Sequence, residues 1–178
     1  LISIGPQWGL AQPGPRFHSE SKKAIKLYRK AMELSRAAMV PSSETEGAME
    51  QVEEQLRKAL EIDPNFGEAE RVMAAMSFDQ GDFEASQGHY AHYLSLYGRD
   101  YIRDHFLWAE AARFALDPSG MKSAMGAMIQ IPGVSEGPDV DVVEAVLKDA
   151  EFMEGALSHA VPLNSAPLPG PGSTNEEE

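Results

Sequence analysis

The sequence predicts an almost wholly α-helical protein made of stacked helix hairpins. Residues that favour helices (Ala, Leu, Met, Glu, Lys and Gln) crowd the segments in which apolar side chains recur every three or four positions, and β-branched residues are scarce in the middle of the chain. Breakers such as Asp63-Pro64 and Gly81-Asp82 separate these segments. Helices divided by short breaks fold back on each other, so we expect antiparallel hairpins that stack within one domain.

Self-similarity at a fixed period supports this architecture, because a stack of hairpins repeats one unit. The period in this chain is 34 residues. It relates five sets of positions: Leu56, Tyr90 and Ala124; Ala59, Tyr93 and Ala127; Leu60, Leu94 and Met128; the helix stops Pro64, Gly98 and Pro132; and the small or medium-sized Val52, Ser86 and Gly120. We expect the last set to lie where the two helices of a hairpin approach closely.

The first half of the chain is predicted to contain an arm and four helices. Residues 1–19 hold six Gly and Pro residues, too many for a regular element, and Trp8 and Phe17 predict that this arm packs on its own domain or on a partner. Helices are expected at about 20–39 and 46–62, with a capping box of Ser43 and Glu46 before the second. A capping box of Asn65 and Glu68 is expected to start the third helix, and Asp82 to cap the fourth.

The second half is predicted to contain three more helices and a tail. Asp100 can cap a helix that runs to about Leu116, and Asp117-Pro118 begins a helix whose Met121, Met125 and Met128 are expected in the core. After a Pro- and Gly-rich linker, residues 139–156 form an amphipathic helix that caps the stack with a polar outer face. The helical domain thus spans 20–159, and the Pro-rich, acidic residues 160–178 are expected to be disordered.

These patterns resemble the tetratricopeptide repeat family, with about three degenerate repeats and a C-terminal capping helix. In the middle copy Met73-Ala74 stands for the large-small pair, Ser86 and Tyr90 give the small-x3-aromatic step, and Gly98 replaces the proline. The resemblance implies a short right-handed α-solenoid. It also implies that the first helix of each hairpin lines a concave face, and that this face binds a peptide or protein segment.

The resemblance implies a set of partner-binding positions on the concave face. By register with the family they are Arg29, Arg36, Glu68, Arg71, Phe78, Asp79, Ile102, His105 and Arg113. Such a mixed lining suits an acidic and apolar peptide, because Arg contacts carboxylates with two hydrogen bonds. Members that clamp chaperone C-termini place Asn where Ala75 and Ala109 stand here, which argues against that specialised role.

Composition and charge argue against several classes of function. The chain has no cysteine, so thiolate chemistry and disulfides are excluded. Its net charge is −13, yet residues 1–36 carry seven Lys and Arg against two Glu, so a basic head precedes an acidic body. An acidic body argues against nucleic acid as the main ligand. No apolar run is long enough to predict a transmembrane segment.

The sequence carries no signature of an enzyme or a cofactor site. There is no phosphate-binding loop with a lysine, no nucleophile elbow and no zinc-protease motif. His89 and His92 lie three apart on one helix and are weak candidates for a metal site. The two imidazoles are more often packed or half-exposed side chains, and no third ligand is evident.

We therefore expect a non-catalytic adaptor that binds a peptide or protein on its concave face. The alternative is a structural subunit of a larger assembly, envelope- or membrane-associated in one version, which is held by the N-terminal arm. The compartment stays open: the cytoplasm is slightly favoured, while residues 1–11 also fit the end of a signal peptide, which would direct the protein to the periplasm or outside the cell.

Overall fold

The computed structural model describes residues 17–38, 47–98, 102–137 and 139–159. These residues form seven helices and no strand. The helices are α1 (Lys22–Ala38), α2 (Ala48–Ile62), α3 (Gly67–Asp79), α4 (Phe83–Tyr97), α5 (Ile102–Phe114), α6 (Pro118–Ile129) and α7 (Val140–His159). The all-α fold class is confirmed, whereas most of the arm, the capping box at Ser43, the Asp100 cap and the tail lie outside the described residues.

The helices pack as successive hairpins. Contacts are most extensive within the pairs α1–α2, α3–α4 and α5–α6, and α4–α5 and α6–α7 join one unit to the next. Helices α2 and α3 touch less. Each helix thus packs mainly on its neighbours in sequence, as in a solenoid of hairpins. The right-handed sense and the type of repeat stay predictions.

Local turn chemistry fixes two of the hairpins as predicted. Gly81 has φ 79°, and the Asp82 side chain accepts a hydrogen bond from the Ala85 backbone N–H at 3.0 Å. In the next hairpin Asp117 accepts from the Gly120 N–H at 3.0 Å, with proline in the first turn. Leu116, with φ 55°, takes the place that Gly81 holds in the preceding turn.

The predicted capping box at the start of α3 is wrong. Phe66 is the N-cap residue of α3, and no side chain caps the helix there. Phe66 is fully buried, with ring contacts to Phe17 and Tyr28, so tertiary packing sets where the helix begins. The Glu68 carboxylate lies instead beside His18 and accepts a hydrogen bond from its backbone N–H, with 3.2 Å between nitrogen and oxygen.

The third hairpin is shifted by one residue from the predicted period. The caps Asp82 and Asp117 are 35 apart. Ala127, which the 34-residue period aligns with buried Tyr93, is exposed, and Met128 is fully buried in its place. Because one residue turns an α-helix by about 100°, this shift changes which side chains of the third hairpin face inward.

The core runs through the whole stack. One cluster joins α1, α2 and α3 around Leu56 and Phe66, a second surrounds Tyr90 and Tyr93, and others fill the space between α5, α6 and α7. The predicted methionine core is confirmed, since Met121, Met125 and Met128 are all buried. None of the helices in the described ranges combines the length and apolarity that crossing a membrane requires.

Candidate functional site

A cleft of about 510 Å³ lies across the middle of the stack. We call it the central groove. Its lining comes from the C-terminal end of α1, the start of α2, the exposed face of α3 and one residue each from α4 and α5. The first helices of three successive hairpins thus share one surface, which is where the sequence predicts the binding face.

The floor and walls of the central groove are mainly apolar. Val72, Ala75 and Met76 follow one another at helical spacing along α3, so they face the groove together. Met49 and Leu107 flank them and are 45% and 38% exposed. Large apolar side chains that line a concave surface in contact with water are typical of a binding site for another molecule.

Arg71 and Asp79 supply the charges of the central groove. The Arg71 guanidinium donates two hydrogen bonds to Asp104, from Nε to Oδ2 and from Nη2 to Oδ1, the latter at 3.2 Å. Asp104 is almost fully buried and also accepts a hydrogen bond from the Tyr93 hydroxyl. Arg71 therefore joins α3 to α5 beneath the groove while half of its side chain remains exposed.

This buried network changes the pKa values of its arginine and its tyrosine. The hydrogen bond to Asp104 raises the pKa of Arg71, and burial followed by the same carboxylate raises the pKa of Tyr93. Tyr90 lines the groove nearby, and burial together with the Asp104 charge raises its pKa to about 12. The groove therefore holds a cation, Arg71, and a neutral tyrosine, Tyr90, near neutral pH.

Of the nine predicted partner-binding residues, Arg71 and Asp79 line the central groove. Arg36 is exposed near the end of α1. Arg29 lies over the Phe17 ring, with its guanidinium carbon 5.4 Å from the ring centroid. Glu68 pairs with His18, whose ring also packs on Tyr97. The last residues of the predicted arm therefore pack on this domain.

Phe78 and Arg113 lie at the tips of the hairpins. Phe78, Phe83 and Phe114 form an aromatic cluster with ring centroids 5.0 to 5.6 Å apart. Arg113 covers the ring of Phe114, which is 49% exposed. These two predicted residues belong to a separate surface patch.

Ile102 and His105, which the register predicts as partner-binding residues, do not line the central groove. Ile102 is partly buried against the core between α5, α6 and α7, and His105 is only 2% exposed. Ala109 is buried as well. The one-residue shift of the third hairpin is the physical reason, because it rotates these three side chains from the groove into the core.

The His105 ring is buried beside the Gly98 and Ala124 backbones. Within the described residues, neither ring nitrogen makes a hydrogen bond of good geometry. Burial lowers the pKa of His105, and the backbones of Gly98 and Ala124 with the charge of Asp104 partly offset that shift. The imidazole is therefore held neutral inside the junction of α4, α5 and α6.

His89 and His92 join two helices through one carboxylate. Glu70 of α3 pairs with His89 Nδ1 at 2.5 Å and lies 3.9 Å from His92 Nε2. His92 Nε2 also contacts the Pro64 carbonyl oxygen at 3.1 Å. Across the part of the chain that the structure describes, no group of three or more His, Cys, Asp or Glu side chains is arranged to hold a metal ion.

Sequence reasoning missed the apolar residues of the central groove. Met49, Val72, Met76 and Leu107 line it, yet in the sequence they have the spacing of ordinary core positions of their helices. The register error of one residue explains the omission of Leu107 alone, because it affects α5. Comparison with known proteins adds no family to this description: no protein-family model matches the chain, and no curated protein is similar to it.

Proposed function

We propose that this protein is a non-catalytic adaptor whose central groove binds a segment of another protein. The observation that carries the proposal is the groove itself, a cleft of about 510 Å³ with apolar walls on the shared face of α1, α3 and α5. Stacked helix hairpins present such extended surfaces to peptides, and a groove lined by apolar residues takes the apolar face of a helical segment.

The bound segment is expected to be more apolar than acidic. Arg71 already contacts Asp104 with two hydrogen bonds, and Asp79 adds a negative charge at the groove. No hydrogen bond or ion pair holds Asp79 within the described residues. Val72, Ala75, Met76 and Leu107 therefore supply most of the binding energy, and Asp79 selects a basic or hydrogen-bond-donating group beside the apolar anchors.

The alternative of a structural subunit held by its arm receives less support. Phe17 packs on Tyr28 and Phe66, and His18 is held by Glu68, so this end of the arm is bound by its own domain. The resemblance to tetratricopeptide repeats agrees with the adaptor proposal. It remains a resemblance of sequence pattern.

A peptide display library tests the proposal with a matched pair of variants. Ala75→Glu places a charged side chain on an exposed position of the groove, and Ala127→Glu makes the same change on an exposed position of α6 outside it. Peptides selected on the wild-type protein should bind Ala127→Glu unchanged and Ala75→Glu at least tenfold more weakly. Both variants should melt at the wild-type temperature. Equal binding to both variants would exclude the groove as the site.

A further inference from the structure

The two end helices of the stack each present an outward face. Helix α1 packs mainly on α2, and α7 mainly on α6. Each has only two fully buried residues, Ala24 and Ala31 in α1 and Val143 and Ala150 in α7. The buried residues of each pair are two helical turns apart, and partly buried apolar residues such as Tyr28 and Val146 flank them. One apolar face of each helix therefore meets the domain, and the opposite face is exposed.

The outward face of α1 is basic. Its six cations are all exposed, namely Lys22, Lys23, Lys26, Arg29, Lys30 and Arg36. Glu33 is the only acid of this helix. No ion pair engages the four lysines within the described residues. Such a concentration of positive charge is unusual on a chain whose net charge is −13.

The outward face of α7 is acidic and also exposes an aromatic ring. It carries four acids, Asp141, Glu144, Asp149 and Glu151, against Lys148, while Glu154 is paired with Lys122 of α6. Phe152 is 79% exposed, more than any other large apolar residue in the described chain. A partner that covers this isolated ring removes apolar surface from water, and it breaks no hydrogen bond between the ring and water. Burial of Phe152 therefore favours association.

We propose that two copies of this chain associate head to tail, with the basic face of α1 of one copy on the acidic face of α7 of the other. The two faces have opposite charge, whereas α1 on α1 or α7 on α7 would repel. The lysine stems of α1 provide apolar surface that covers the Phe152 ring while their ammonium groups reach the neighbouring acids. This contact is independent of the central groove.

The size and the arrangement of the contact determine how strongly two copies associate and which oligomer they form. A contact between two single helices buries less than the roughly 1,200 Å² at which stable interfaces begin, so the association is weak. It depends on salt, because exposed charges are screened over a few ångströms at high ionic strength. A head-to-tail contact leaves one face of each type available on a dimer, so further copies can add until a ring closes or an open chain forms.

Sedimentation velocity of the full chain tests the association. Over a hundredfold range of protein concentration at low salt, the weight-average sedimentation coefficient should rise with concentration. At about 1 M salt, where the Debye length falls to about 3 Å, it should stay at the monomer value. A wild-type chain that remains monomeric at low salt over the whole range would overturn the proposal.

Two variants then separate the two faces. Lys26→Glu/Lys30→Glu disables α1, and Phe152→Asp disables α7; all three positions are exposed, so melting temperatures should not change. Each variant alone should be monomeric. An equimolar mixture should form dimers that grow no further, because only one intact α1 face and one intact α7 face remain to pair.

Two control variants make the same kinds of substitution at exposed positions outside α1 and α7. Arg57→Glu/Lys58→Glu reverses two exposed charges on α2, and Leu96→Asp replaces an exposed apolar residue of α4. Both controls should associate as the wild type does. If the controls weaken association as much as the variants, or if the mixture of variants stays monomeric, the α1–α7 contact is not the interface and the proposal fails.

Discussion

His105 places an ionisable side chain in the interior of the stack. It is 2% exposed and neither ring nitrogen makes a hydrogen bond of good geometry within the described residues, so the charged form is disfavoured in the folded protein. Burial accordingly lowers the pKa of His105 from its ordinary value of 6.5. The unfolded chain keeps that ordinary value, and this difference makes stability depend on pH.

We expect the free energy of unfolding to fall as the pH drops below 6.5, where only the unfolded chain takes up a proton at His105. For a single proton the loss cannot exceed about 1.4 kcal/mol per pH unit, and it ends once the pKa of the folded form is passed. Above the ordinary pKa this contribution is constant. Urea unfolding of the wild type and of His105→Gln across this range measures it, because the difference between the two proteins should shrink toward acid.

His159→Gln is the control for this experiment, since His159 is exposed at the end of α7. It removes one imidazole without opening a space in the core. The comparison uses variants, and not the wild-type curve alone, so that the contributions of the other titratable groups cancel. A pH-independent difference between wild type and His105→Gln would show that His105 is solvated in the folded protein.

At the scale of single residues, the sequence shows which side chains are charged or aromatic, but it does not show which other side chains they contact. The Arg71–Asp104–Tyr93 network joins residues 33 and 11 positions apart, and nothing in the local pattern couples them. Arg71 reads as a surface cation, whereas the structure makes it the cover of a buried carboxylate. A register error of one residue was enough to place His105 on the wrong side of its helix.

At the scale of elements, helices approach each other closely at Gly120 of α6. A Cβ added there would lie 2.6 Å from the Gln87 side-chain oxygen and 2.9 Å from the Cβ of Ala112. Real Cβ atoms do not approach so closely, and the Ala112 methyl cannot rotate away. The expectation that small residues mark the contact within a hairpin is confirmed here and at Ser86, which is fully buried and donates to the Ala74 carbonyl at 2.8 Å.

Gly120→Ala and Gly126→Ala form a matched test of this contact in the same helix. Gly120→Ala should lower the free energy of unfolding by about 1–3 kcal/mol, since it overpacks the α5–α6 contact. Gly126→Ala has open space around its Cβ, so it should raise stability by roughly 0.5–1 kcal/mol through helix propensity. Urea unfolding at neutral pH measures both, and a stabilising Gly120→Ala would contradict the packing described for α5 and α6.

Element boundaries were predictable where short-range chemistry determines them. Asp82 and Asp117 each accept a hydrogen bond from a backbone N–H only three residues further on. The sequence alone is therefore enough to predict where these two helices begin. The start of α3 was not predictable, because Phe66 is placed by Phe17, about 50 residues earlier in the chain. The exposed Phe152 likewise departs from the purely polar outer face expected for the capping helix.

At the scale of the whole molecule, the all-α stack of hairpins follows from helical periodicity and from breakers, which act locally. The central groove does not, because it combines residues of five helices whose relative rotation depends on the packing of every layer. On α3, the predicted residues Arg71 and Asp79 do line the groove. It failed on α5, where the extra residue between Asp82 and Asp117 rotated the helix.

The central claim is that the central groove is the surface that meets the partner. Photo-crosslinking tests this most directly, with a photoreactive amino acid at the position of Leu107 in the groove or, as control, at the exposed position of Ala127 on α6. In extract of the native cells, position 107 should give a discrete adduct that position 127 does not, and a peptide selected on the wild-type protein should compete it away. Equal adducts from both positions, or none from position 107 while another surface crosslinks, would contradict the proposed function.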